Sequence, residues 1–162
     1  MPYNLHIVLV EPQIPANTGS VGRVCVATES SLHLVEPMGF EVSDAQVKRA
    51  GLDYWQFLAV TCHKSLRVFM DSIPMGAPMV FFSTKAERTY FEHRFETDSY
   101  LFFGSETAGL PAEILTSYPD RIFRIPQYDS RVRSLNLANS VSIVVYEAIR
   151  QLESRNSGSY SA

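Results

Sequence analysis

"YLFFGSETAGLP" (residues 100–111) is the stretch on which the fold turns. An aromatic, apolar run stops at Gly104. Ser105, Glu106 and a second glycine, Gly109, follow, and Leu110-Pro111 leads into "AEIL". That order predicts a buried strand, a tight loop and a helix start, the place where α/β proteins hold nucleotides. The stretch nevertheless lacks both the GxGxxG fingerprint and the GxxxxGK[ST] loop, and no lysine follows its glycines, so nothing in it is built for a triphosphate. Glu106 would repel phosphate but could accept hydrogen bonds from hydroxyls or amines. Gly104 would let a ligand approach the backbone, and Gly109 would adopt a conformation other residues avoid. A plain glycine-rich turn with an acid near a helix start fits this stretch equally well.

Similar apolar runs recur on either side: "LHIVLV" (5–10), "LHLVE" (32–36), "MVFFS" (79–83) and "RIFRI" (121–125). Most are continuous rather than alternating, which suits strands covered on both faces. Helical patterns lie between them. "NTGSVGRVCVATES" (17–30) opens on Asn17 and Thr18, both good caps. "SDAQVKRAG" (43–51) and "HKSLRVFMDSI" (63–73) follow, the latter with Leu66, Phe69, Met70 and Ile73 on one face. The last helix is expected over 134–153, with Ser134 able to cap it. Leu137, Val141, Val144, Val145, Ala148, Ile149 and Leu152 share one face, and the valines cost helix propensity that packing must offset. Strands alternating with helices predict an α/β fold with a mostly parallel sheet flanked by helices. One domain is expected over 1–153, followed by a disordered polar tail, 154–162.

The bulk numbers narrow the function. The 162 residues are 46% hydrophobic and 19% charged with net charge −3, so no overall basic field draws the protein to nucleic acid. Cys25 and Cys62 lie far apart, as expected of reduced thiols in a cytoplasmic protein. His6, His33, His63 and His93 have no metal-ligand spacing, and no metal is expected. The start "MPYNLHIVLV" reads as a first strand rather than a signal peptide, and no run is long enough to span a membrane.

Two other strand ends carry chemistry. After the first strand, "EPQIPANTGSVGR" (11–23) places Asn17 and Gly19 at a helix mouth and Arg23 about one and a half turns in. Arg23 is either a solvated surface arginine or a group aimed at an anion over a helix N-terminus. After "RIFRI", "IPQYDSRVRSLNLANS" (125–140) brings Arg131 and Arg133 just before Ser134, with Asn136, Asn139 and Ser140 beyond. With Arg121 and Arg124 this is the most basic part of an acidic chain, the footprint of a phosphate-backbone contact, although Asp120 and Asp129 could pair with some of these arginines.

Taken in order, "EPQIPANTGSVGRVC", "LFFGSETAGLP" and "RIPQYDSRVRSLNLANSVSIVVYEA" resemble the three motifs of the trefoil-knotted, SPOUT-class RNA 2′-O-ribose methyltransferases. The linking "LVEPMGF" and "KRAGLDYW" are similar to the branch that methylates the wobble nucleotide of tRNA, and the resemblance runs from about residue 4 to 152. It implies a deep C-terminal trefoil knot forming the site for S-adenosylmethionine, which leaves as S-adenosylhomocysteine. Carried over by motif, Phe82, Gly104, Glu106, Ile125, Ser134 and Leu135 would bind the cofactor. Arg23, Asn17, Ser134 and Asn136 would serve catalysis, and Arg131 and Arg133 would contact RNA. It further implies a homodimer through the first and last helices, acting on a tRNA anticodon stem-loop. The family assigns Arg23 as the base; because a guanidinium stays protonated, holding RNA phosphate and stabilising the developing alkoxide is the easier role. The chain departs from the family pattern at Ser20, Gly22 and Ala138. The rival readings are another RNA target such as rRNA, and a non-catalytic knotted RNA-binding protein.

Overall fold

The computed structural model describes residues 3–42 and 54–157. Its frame is a six-stranded sheet, every pairing parallel, in the order β3-β2-β1-β5-β4-β6. The strands are β1 (His6–Val10), β2 (Ser31–Val35), β3 (Val60–His63), β4 (Met79–Phe82), β5 (Tyr100–Phe103) and β6 (Ile122–Phe123). The helices are α1 (Pro15–Ala27), α2 (Leu66–Ser72), α3 (Ala112–Ser117) and α4 (Leu137–Ser157).

The continuous apolar runs are explained by cover on both faces. Ile7, Leu9, Leu32, Leu34, Leu101 and Phe103 face a core shared with Val21 and Cys25 of α1 and with Val141, Val144, Val145, Ala148 and Leu152 of α4. Val8, Val10, Val35, Phe81 and Phe102 face the other way, onto Leu66 and Phe69 of α2 and Ile114 of α3. Burial of the α4 valines at 0% exposure supplies the packing that their weak helix propensity requires. On the α2 side, His6, His33 and His63 form a row across β1, β2 and β3, each neighbouring pair of ring nitrogens 3.0 Å apart.

Several expected limits are corrected. "VTCH" is a sixth strand, β3, rather than the approach to a helix. It sits at the sheet edge and Thr61 and Cys62 are exposed, so it carries no apolar run. Helix α2 therefore begins only at Leu66, with the Ser65 hydroxyl accepting from the Val68 N–H at 3.3 Å. Helix α1 begins at Pro15, ahead of Asn17 and Thr18. A proline at the first helical position needs no partner for its nitrogen, so the start falls there. Ser134 does not cap α4. Asn136 does, its Oδ1 accepting from the N–H groups of Ala138 (2.9 Å) and Asn139 (3.3 Å). The same helix continues through Ser157, into the stretch expected to be disordered. The helix expected over 43–51 lies outside the described residues.

Candidate active site

The loops that leave the carboxyl ends of β1, β4, β5 and β6 converge on one cleft of about 770 Å³, where an open parallel sheet holds its ligands. Its walls include Asn17 after β1, Ser83–Lys85 after β4, Gly104–Leu110 after β5, and Ile125, Gln127 and Arg133–Leu137 beyond β6. Apolar surface comes from Phe82 and Phe103, whose rings stack at 4.9 Å between centroids, and from Leu115, Ile125 and Leu135.

A hydrogen-bonded bridge fixes three of these loops to one another. Glu106 Oε2 accepts from the Gln13 N–H at 2.8 Å. Its Oε1 accepts from the Ile14 N–H at 3.1 Å and from Asn17 Nδ2 at 3.0 Å. Asn17 Oδ1 in turn accepts from Asn136 Nδ2 at 2.9 Å, and Asn136 caps α4. Glu106 thus does for α1 what its own sequence does not: the residue at the cap position, Ile14, has no side-chain acceptor, and a carboxylate reaches in from another loop. The anion also sits at the positive end of the helix.

The β5 loop closes on itself. Ser105 and Gly109 exchange backbone hydrogen bonds of 3.2 and 3.0 Å, and Gly109 has φ +71°. A Cβ placed on Gly104 would lie 2.0 Å from the carbonyl carbon of Gly109 and 2.1 Å from the nitrogen of Leu110. Gly104 is therefore required by the loop's own return, and the approach it permits is that of the chain rather than only of a ligand.

All six residues expected to bind a cofactor line this cleft: Phe82, Gly104, Glu106, Ile125, Ser134 and Leu135. So do Asn17, Asn136 and Arg133. Asn17 has both ends of its amide engaged in the bridge. Arg23 is not on the wall. It lies six residues beyond Asn17 on α1, about 240° around the helix, and is exposed. Its Nε donates to the Tyr54 hydroxyl at 2.5 Å, with the guanidinium 4.6 Å from the ring centroid. Arg131 also stands off the wall, paired with Asp129 through its Nε (3.0 and 3.1 Å) and Nη2 (2.5 Å). Those bonds hold the Asp129 carboxyl below its ordinary range. Arg133 instead faces both the cleft and a hollow of about 200 Å³ beside it, shared with Arg124 and Gln127.

Sequence reading did not single out Thr84, Lys85, Gln127 or Tyr54. The first two follow "MVFFS" directly, so the strand-end argument applied to the other loops would have reached them. Tyr54 lies in "KRAGLDYW", but nothing local in that stretch shows that it faces Arg23.

The profile of the SpoU rRNA Methylase family matches residues 4–146. This chain belongs to that family. A protein of Lactococcus lactis subsp. cremoris MG1363, named a putative tRNA (cytidine(34)-2′-O)-methyltransferase, is 46% identical over 153 residues, 93% of this chain and 90% of its own. The tRNA (cytidine(34)-2′-O)-methyltransferase of Escherichia coli K12 is 46% identical over 151 residues, covering 91% and 94%. A solved structure described as giving insights into the 2-OH methylation of C/U34 on tRNA superposes with a TM-score of 0.91 at 43% identity, over 95% of this chain and 99% of that one. The SpoU methyltransferase AviRb of Streptomyces viridochromogenes, solved with AdoMet, gives a TM-score of 0.82 at 27% identity over 94% of this chain and 62% of its own.

Proposed function

We propose that this SpoU methylase transfers a methyl group from S-adenosylmethionine to the ribose 2′-oxygen of the wobble nucleotide of a tRNA, a cytidine or modified uridine in the anticodon loop. The observation that carries the reading is the single cleft in which the three motif loops are tied by Glu106, Asn17 and Asn136, in a chain whose 46%-identical relatives bear that activity in their names.

The cleft fits the cofactor. Its volume is within the roughly 300–1,000 Å³ of small-molecule sites, and its walls pair apolar side chains with polar backbone. Phe82, Ile125 and Leu135 would enclose the adenosyl group, and Ser134 would offer a hydroxyl. The Glu106 carboxylate, fixed by three donors, places negative charge where a sulfonium cation would be accepted. S-adenosylmethionine would supply, when bound, an electrophilic methyl for in-line attack by the ribose oxygen, the methyl–sulfur bond breaking as the methyl–oxygen bond forms, with S-adenosylhomocysteine as product and the 2′-hydroxyl proton passing late to phosphate or water. The residues of the chain do the rest. The bridge holds three loops in one register, so a substrate meets a preorganised site rather than ordering it. Arg133 faces the cleft and is suited to RNA phosphate; Arg131, neutralised by Asp129, would contribute after exchanging that partner. Arg23 would hold phosphate and stabilise the developing alkoxide.

The position of Arg23 on the far side of α1 favours a homodimer in which one subunit's Arg23 serves the other's cleft. Helices α1 and α4 pack side by side, and α4 leaves Ile143 and Tyr146 exposed at 38% and 55%, which supports pairing through this face. The trefoil threading of the family belongs with the same reading, since the 104–110 loop and the 125–136 segment bound one cleft. None of the helices among the described residues is long and apolar enough to cross a membrane; acting on tRNA, the enzyme would work in the cytoplasm.

An rRNA target is the second reading, and chain coverage disfavours it. Relatives named for tRNA position 34 match over 90% or more of their own length. Mass mapping of ribose methylation in total RNA, from cells with and without the gene, tests the assignment. Loss of 2′-O-methyl at tRNA position 34 is expected; loss confined to rRNA would overturn it.

A further inference from the structure

Arg23 stands exposed on α1, and an unrestrained arginine side chain has about 2 kcal/mol of rotamer entropy to lose on binding an anion. It is not unrestrained here. The Tyr54 hydroxyl accepts the hydrogen of its Nε at 2.5 Å, and the Tyr54 ring lies 4.6 Å beneath its guanidinium carbon. The donors on Nη1 and Nη2 make no hydrogen bond among the described residues, so the forked edge suited to two phosphate oxygens is left open. Tyr54 is itself seated by its neighbour. Trp55 packs on the bare backbone of Gly22, where a Cβ would meet Trp55 Cζ3 at 2.9 Å and Leu58 Cδ2 at 3.1 Å. The glycine that departs from the family pattern is thus the floor on which the 54–58 segment rests, one residue before Arg23.

We infer that Tyr54 is a positioning residue for Arg23: it anchors Nε and one guanidinium face, so that the Nη edge is aimed before RNA arrives. This rests on the role given to Arg23 above. Tyr54 acts through Arg23 and need not touch substrate. The cost of ordering the side chain is met in folding rather than in the reaction, and its absence appears in turnover more than in binding.

The test is Tyr54→Phe, which keeps the ring and removes the hydroxyl that accepts from Arg23 Nε. On a tRNA substrate kcat should fall roughly 10- to 100-fold, with the KM for tRNA and the calorimetric affinity for S-adenosylmethionine both within about twofold of wild type. Thermal unfolding should be unchanged, which separates positioning from folding. A second readout needs no activity: solvent exchange of the Arg23 Nε–H, followed by side-chain NMR, should quicken by about tenfold when its acceptor is lost. Wild-type kcat in Tyr54→Phe overturns the inference. So does a lowered kcat with unaltered Nε–H exchange, since Tyr54 would then act by another route. Arg23→Ala distinguishes the two levels. If it retains wild-type turnover, the role of Arg23 fails and this inference with it; if it is inactive while Tyr54→Phe matches wild type, only the role of Tyr54 fails.

Discussion

Replacing Glu106 by glutamine removes a charge without removing volume, and so isolates what the carboxylate does. The structure gives it three donors: Gln13 N–H on Oε2, and Ile14 N–H and Asn17 Nδ2 on Oε1. A carboxamide can keep its oxygen at the Oε1 position and retain two of them. Its NH2 then faces the Gln13 N–H, and one charge-assisted bond worth about 1.5–3 kcal/mol becomes a donor–donor contact. The two retained bonds weaken to neutral strength, and α1 loses an anion at its N-terminus worth about 0.3–1 kcal/mol. Water reaching the loop relieves part of this, because Gln13 and Ile14 are exposed. A net loss of about 2–3 kcal/mol is expected. With a urea m-value of about 2 kcal/mol/M for a chain of this size, the unfolding midpoint should drop by about 1–1.5 M with m unchanged. Calorimetry should show S-adenosylmethionine affinity falling as well, because the three loops lose their common register. A midpoint within about 0.25 M of wild type, or less than roughly 0.5 kcal/mol, would refute the clamp. If affinity fell while the midpoint held, Glu106 would be a direct contact to the cofactor instead.

The two glycines of the β5 loop should behave differently. Gly104→Ala forces a Cβ onto backbone 2.0 Å away and should cost about 3 kcal/mol in thermal or urea unfolding, whereas Gly109→Ala meets open space and should cost only the left-handed backbone, about 1–2 kcal/mol. Equal losses would mean the loop does not return as described. The histidine row predicts acid sensitivity. Burial, then the charges of His6 and His63, pushes His33 down to about 4, and burial also lowers His6 (against a pull upward from Asp98) and His63. The unfolded chain therefore binds more protons, so this stability is complete above about pH 6.5 and is lost as pH falls toward 4. With solvent screening, about 1 kcal/mol should be lost between pH 7 and 5, and His33→Gln should flatten that slope in urea titrations; an unaltered slope would exclude the row as its source. Tyr146→Arg, on the exposed face of α4, should halve the mass seen by light scattering, and a wild-type protein already monomeric at assay concentration would sink the dimer reading.

Much of the architecture was legible because it is locally encoded. A strand covered on both faces is apolar at nearly every position, so "LHIVLV", "MVFF" and "YLFF" announce themselves, and the loops at their carboxyl ends mark the site. The buried face of α4 was readable from i, i+3/i+4 spacing for the same reason. Where burial is partial, the signal fades: "VTCH" pairs with β2 at the sheet edge with two of its residues exposed, and no composition sets it apart from a loop.

Helix ends show the boundary between the two kinds of information. Asn17, Thr18 and Ser134 have the chemistry of caps, and sequence alone assigned them that role. The fold gave α1 to the distant carboxylate of Glu106 and α4 to Asn136, and turned Asn17 into the link between them. The sequence by itself determined the strands covered on both faces, the apolar face of the last helix and the strand-end loops with the residue types they offer, because propensity, periodicity and glycine placement act over a few residues. Only the tertiary structure decided the strand order, the reason for Gly104 and the partners of Glu106 and Arg23. Glu106 and Asn17 are 89 positions apart, Asn17 and Asn136 119, and Arg23 and Tyr54 31. Hydrogen bonds across such distances depend on how the sheet brings its loops together, which no local pattern records.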